Sequence, residues 1–163
     1  MQSACDTHIH FYDHRYPVAP ASTLRPSDAT PADYRTEQPA LGTERIVVVQ
    51  PTTYGLDNSC QLHAMATFGD AARGVMVLDP NAQPEDLARL TVLGVRGARF
   101  HMLPGGAVPW EMLEAVAANI APFGWHIQLQ LDGRELPGRL DRLLRLPVGV
   151  VVDHVGRFMP TVE

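Results

Sequence analysis

Basic runs, cysteine pairs and long apolar stretches are all missing from this sequence. Its 163 residues hold only 13 Lys and Arg against 18 Asp and Glu, for a formal charge of −5 and a pI near 5.7. Without a cationic patch there is no electrostatic grip on nucleic acid or on an anionic membrane, so neither is an expected partner. The two cysteines, Cys5 and Cys60, form no Cys-x-x-Cys pair and signal neither a disulfide framework nor a thiolate zinc site, which fits a reducing compartment. No window approaches the roughly 18 apolar residues of a membrane span, and the first residues lack a basic or apolar leader, so cytoplasm is the expected location. What is present is 45% hydrophobic and 19% charged residues, with mean hydropathy −0.07. That suffices for one packed core, and residues 1–163 are expected to form a single domain.

Strand-like runs recur near residues 4, 46, 74, 95, 126 and 148. Residues 3–11 alternate in polarity. Residues 46–50 are an unbroken β-branched run closed by Pro51, as expected of a strand buried on both faces of a parallel sheet. Further strands are expected over 74–79, 95–102, 126–131 and 148–152. Helical spacing separates them: 57–73 with Asp57 as N-cap, 84–93 with Leu87, Leu90 and Leu93 facing inward, 110–120, and 135–146 with Leu136, Leu140, Leu143 and Leu144 on one face. The Pro-, Ser- and Thr-rich stretch 17–39 reads as a long exposed loop with a short helical piece over 32–36.

Strand followed by helix, repeated, is the pattern of βα units on a parallel sheet. An open doubly wound sheet fits the length. However, each strand ends in a polar residue, His10, Gln50, Asp79, Arg99, Asp132 or His154, and in a (β/α) barrel all of these converge on one mouth. An open sheet uses only one or two of them, at its switch point. No Gly-x-Gly-x-x-Gly or Walker sequence supports a nucleotide-binding sheet. The expected fold is therefore α/β: a partial (β/α)8 barrel of about six βα units with its last strands missing, because a complete barrel needs roughly 250 residues.

His8 and His10 lie two apart on a strand, so both imidazoles project from one face and can approach one metal ion or one substrate. Such a pair is often only structural. Here Asp6 precedes it, and His154, following Asp153 at the end of a later strand, is the obvious third donor, which makes His8, His10 and His154 the candidate catalytic or zinc- or manganese-binding set. Arg99 at a strand end and Arg157, three residues past His154, suit bidentate capture of a carboxylate and imply a small anionic substrate. Thr52 and Gln130 are candidate hydrogen-bond partners of that substrate. His14, His63 and His101 have no evident partner.

Asp6-Thr7-His8-Ile9-His10, Gly97-Ala98-Arg99-Phe100 and Asp153-His154-Val155-Gly156-Arg157, in that order, resemble the amidohydrolase superfamily in its amidohydrolase-related branch of lactone hydrolases and isomerases. The likeness covers nearly the whole chain. Residues 31–35, 103–108 and 130–133 are most similar to the galactarolactone isomerase side of the branch. The resemblance implies a (β/α)8 barrel that opens lactone rings or moves their acyl link between hydroxyls, commonly without a metal. His8, His10 and His154 would polarise the lactone carbonyl while Arg99 and Arg157 hold a carboxylate. The branch's dicarboxylate lactonases carry an arginine and a tyrosine where this chain has Gly105 and Gln130, which argues against a pyrone dicarboxylate.

The family's acid/base aspartate stands at the end of strand eight, past the last residue of this sequence. The chain is therefore expected to be C-terminally truncated, and to lack a general base worth roughly 10² to 10⁴ in rate. Two other readings stay open. One is a metal-dependent amidohydrolase or decarboxylase of the same superfamily. The other is an inactive partial barrel whose open strand edges are covered by a second copy, a homo-oligomer.

Overall fold

A computed structural model describes residues 4–158; the ends of the strand and tail readings, residues 1–3 and 159–163, lie outside the described residues. Six strands, β1 (Cys5–Ile9), β2 (Arg45–Val49), β3 (Ala72–Met76), β4 (Val95–His101), β5 (His126–Gln130) and β6 (Val150–Val152), pair in parallel in the order in which they occur. A doubly wound sheet reverses its order at a switch point, so this strictly sequential order excludes one.

The sheet is also curled. Gln128 on β5 approaches His8 on β1 to 3.2 Å, side chain to side chain, across three intervening strands. In a flat sheet the two strands would stand about 19 Å apart at about 4.8 Å per neighbour. The architecture is thus the expected partial (β/α)8 barrel, a curved wall with helices on its convex face.

Five helices, α1 (Pro31–Leu41), α2 (Ser59–Phe68), α3 (Pro84–Val92), α4 (Leu113–Ile120) and α5 (Leu136–Leu144), connect the strands. The core lies between them and the sheet, where Val48, Met76, Phe100 and Ile127 meet Leu90, Leu113 and Ile120, all fully or nearly fully buried. Because successive strand residues point to opposite faces, sending Ala98 and Phe100 into this layer leaves Arg99 and His101 on the concave side. Gly97 belongs to the concave side too. A Cβ there would lie 2.8 Å from the His126 ring, so β4 leaves the space that His126 fills.

Several local expectations differ from what forms. The helix expected over 32–36 runs from Pro31 to Leu41, because Thr30 and Asp33 make a reciprocal capping box (Thr30 N to Asp33 Oδ2, 2.7 Å) with Pro31 at the first position. Pro39, which makes the segment read as loop, is tolerated near the helix end, and Gly42 closes it in the left-handed region at φ 66°. Asn58, not Asp57, is the N-cap of α2; the Asp57 carboxylate accepts instead from the Ser59 amide at 2.9 Å. Leu93 falls just past α3 and is 48% exposed. Leu140 and Leu144 are exposed as well, at 47% and 74%, and only Leu143 of the α5 stripe is buried. Among the described residues β6 is an edge of the sheet, with Val151 also exposed, so that stripe has no further element to cover it.

Candidate active site

The concave face gathers its polar groups at the C-terminal ends of the strands. β1 shifts register against β2 between Asp6 and Ile9, an irregularity of the kind that re-aims side chains beside active sites. Asp6 ties this bend down, accepting from the His8 amide at 3.3 Å and from the Tyr34 hydroxyl at 3.1 Å. His8 and His10 then face each other with Nε2 atoms 3.4 Å apart, and His10 Nδ1 lies 2.7 Å from the Val49 carbonyl oxygen of the next strand.

His154 arrives from the other edge, its ring centroid 5.0 Å from that of His8. It does so through an unusual backbone. His154 (φ 51°), Val155 (φ 56°) and Gly156 (φ 72°) are consecutive left-handed residues, of which two carry side chains and cost on the order of 1–2 kcal/mol each. Gly156 and Gly133 are the close approach that holds the turn: a Cβ on Gly133 would stand 2.3 Å from the Gly156 carbonyl oxygen. His8 thus neighbours both His10 and His154, with ring centroids 4.9 and 5.0 Å away.

Arg99 lies beneath them and is only 3% exposed. Its guanidinium donates to the Gln50 carbonyl at 2.5 Å, to Gln130 Oε1 at 2.7 Å and to Asp153 Oδ2 at 3.3 Å, while its buried Nε has no partner among the described residues. Asp153 also accepts from Gln128 Nε2 at 2.5 Å, and Gln130 Oε1 is shared with His101 Nδ1 at 3.1 Å. Arg99 is therefore the hub of a buried network and not a free arm at the mouth. Gln130 belongs to the same network. Arg157 is exposed, and its charge helps depress His101. Thr52 stands apart: it lines a cavity of about 500 Å³ between the loops after β1, β2 and β4, a lining that includes none of the three histidines.

Burial sets the charge state of the imidazoles. It pulls His10 from 6.5 to about 4, against the pull of its bond to Val49, and it lowers His8, where the positive charge of Arg99 and the neighbouring His154 oppose Asp153. His101 and His126 are depressed by burial too. Burial likewise works against the Arg99 charge, and Asp153 restores it. The floor is a buried Arg99–Asp153 ion pair, with His8, His10 and His101 depressed by burial around it.

Sequence reasoning missed Gln128, had Gln50 only as a strand end and His101 only as a histidine without a partner, and used Asp153 only as the neighbour of His154. Gln128 carried a signal, since it shares the face of Gln130 two residues on. His14 pairs with Asp28 at 2.5 Å and His63 with the Tyr16 hydroxyl at 2.5 Å, both outside this cluster.

A divalent ion of the kind the superfamily implies would draw on these donors. Ligand atoms of His8, Asp153 and His154 lie within 4.8 Å of one another. Both Asp153 oxygens are already taken, however, one by the Arg99 guanidinium and one by the Gln128 amide, so an ion there would compete with a cation for its only carboxylate. Asp153 is therefore spent on the floor and does not fit as a metal ligand, so an ion here would have to be held by imidazoles alone.

Similar proteins carry the same framework. The chain is 35% identical over 159 residues to the D-galactarolactone isomerase of Agrobacterium fabrum (strain C58 / ATCC 33970), covering 96% of this chain and 54% of that protein. It is 35% identical over 158 residues to the 2-pyrone-4,6-dicarboxylate hydrolase of Comamonas testosteroni, covering 94% of this chain and 52% of the relative. An apo crystal structure from Agrobacterium tumefaciens superimposes with a TM-score of 0.92 at 34% identity, over 100% of this chain and 60% of that one. The chain thus spans about half the length of the curated relatives it matches. No helix among the described residues is long and apolar enough to cross a membrane. The model of the Amidohydrolase family matches residues 5–162, which takes in every strand of the wall and both ends of the histidine cluster, and the chain belongs to that family.

Proposed function

We propose that this chain carries the lactone-binding half of an enzyme that hydrolyses or isomerises a small anionic lactone. The observation that supports the reading most is the convergence of His8, His10 and His154 above the buried Arg99. An N–H of His8 can hold a lactone carbonyl as its oxygen gains charge during acyl transfer, while His10 Nδ1 is engaged by the Val49 carbonyl. Arg99 adds positive potential from below in a site where low polarity strengthens it. Arg157, exposed past β6, is placed in this reading to take the substrate carboxylate, with Thr52 and Gln130 at the loop wall and the floor. The names of the relatives, an isomerase and a hydrolase of lactones, support the same chemistry. Cytoplasmic action, which two unpaired cysteines fit, belongs to the reading too.

A panel of sugar-acid and muconate lactones, followed by proton NMR, tests this. The expected outcome is saturable binding of one class, seen by saturation transfer and weakened at least tenfold in Arg157→Ala, with ring opening or acyl migration wherever turnover occurs. Absence of both binding and turnover across the panel would sink lactone chemistry for this chain.

A further inference from the structure

Beyond bringing the histidines together, the network fixes where their protons sit. We infer that Gln128, anchored by Asp153, is a positioning residue that holds the His8 proton on Nε2 and makes His8 a hydrogen-bond donor at the atom facing His10.

The Gln128 amide nitrogen can only donate. One of its N–H bonds goes to Asp153 Oδ1 at 2.5 Å, and the other meets His8 Nδ1 at 3.2 Å. Turning the amide over would set Gln128 Oε1 against Asp153 Oδ1, acceptor against acceptor, while Arg99 holds that carboxylate by its other oxygen. His8 Nδ1 therefore faces a donor and must carry a lone pair. An imidazole with a lone pair on Nδ1 is neutral, so its single proton is on Nε2.

The assignment then propagates. The His8 Nε2–H faces His10 Nε2 at 3.4 Å, which must be the acceptor, and that puts the His10 proton on Nδ1, where the Val49 carbonyl accepts it at 2.7 Å. Every atom in the row finds a complementary partner, and the two histidines hold opposite tautomers. The reverse arrangement fails at its first step. An Nδ1–H on His8 would meet the Gln128 N–H, and Asp153 Oδ1 at 3.7 Å is too far to accept it. One consequence is that the two Nε2 atoms share a single proton, whereas a chelated ion requires two lone pairs.

The proton's place does not depend on the substrate. Only its use, donation to a lactone carbonyl, rests on the function proposed above, and the following experiment reads the former alone. Long-range proton–nitrogen correlation on the ¹⁵N-labelled chain at neutral pH should show His8 protonated on Nε2 and His10 on Nδ1. In Gln128→Glu, whose carboxyl shares one proton with Asp153, an acceptor replaces the donor opposite His8 Nδ1. The His8 proton should move to Nδ1, and zinc chloride titrated by calorimetry should bind at least tenfold more tightly than to the wild type. An unchanged His10 signal in the variant shows that β1 and β2 remain paired. A wild-type His8 protonated on Nδ1 or doubly protonated overturns the proposal, as does a Gln128→Glu chain with the proton still on Nε2 and zinc affinity unmoved. If that variant does not fold, the wild-type spectrum decides alone.

Discussion

The two faces of one strand, β4, are built from opposite materials. On the convex side Ala98 and Phe100 join an apolar layer of helix and strand side chains, and on the concave side Arg99 and His101 join a polar network that reaches β1, β5 and β6. Phe100 and Arg99 themselves are buried to a similar degree, at 1% and 3%. They should nevertheless fail differently. Truncating an apolar side chain leaves a hole whose cost depends on how far its walls relax. Removing one partner of a polar pair leaves a charge or a donor with nothing to replace water, and the cost falls on the group that remains.

The largest effect is expected from Arg99→Met. Asp153 would keep its carboxylate at 4% exposure with the Gln128 amide as its remaining partner, and breaking a buried pair from one side costs about 3–5 kcal/mol. Urea unfolding followed by circular dichroism checks this. The companion double variant, Arg99→Met with Asp153→Leu, should recover more than half of that loss. If the double variant is as unstable as the sum of the singles, the concave layer is held by packing, and the contrast between the faces fails.

On the other face, Leu113→Ala, at a residue with 0% exposure, should cost about 3 kcal/mol through reduced apolar burial and the cavity left behind. Here no second substitution is expected to rescue the first except one that refills the space. A Leu113→Ala chain that regains stability on addition of a small apolar solute such as benzene would sharpen the comparison, since nothing of that kind can restore Arg99.

These two layers were also unequally legible in the sequence. The convex layer follows from periodicity: the Ile46 to Val49 run, the Leu87 and Leu90 spacing and the strand at 126–131 all point to parallel βα units, and the sequential order of strands confirms the barrel wall. Where that reading slipped, the cause was local chemistry. The capping box at Thr30 and Asp33 outweighed Pro39, and the Leu140 and Leu144 stripe records apolarity without recording what covers it. On the concave side the histidines and Arg99 were visible because they stand at strand ends, and strand ends meet in a curled sheet. Their partners were not visible in the same way. That Arg99 spends its donors on the Gln50 carbonyl, Gln130 and Asp153 depends on groups up to 54 residues away, and no spacing rule encodes it.

The smallest effect, and the most diagnostic of the concave layer, is its response to acid. His10 titrates near 4 in the folded chain against 6.5 when unfolded. Above pH 6.5 both states are neutral at this ring and it contributes no slope. As the pH falls from 6.5 toward 4 the unfolded chain takes up a proton that the folded chain refuses, so stability falls through that window and levels off below it. Each pKa unit is about 1.4 kcal/mol, which bounds the His10 share at about 3 kcal/mol. His8, His101 and His126, depressed by the same burial, add to the slope in the same direction. In His10→Asn the side-chain amide can still donate to the Val49 carbonyl, but the proton uptake is gone. Unfolding free energies measured in urea between pH 8 and 4 should therefore fall less steeply in the variant, by up to that 3 kcal/mol over the window, while Leu113→Ala should shift the whole curve down without changing its shape. Parallel curves for wild type and His10→Asn would mean that water reaches the ring in the folded state, and the concave layer would then be a wet groove instead of a buried polar floor.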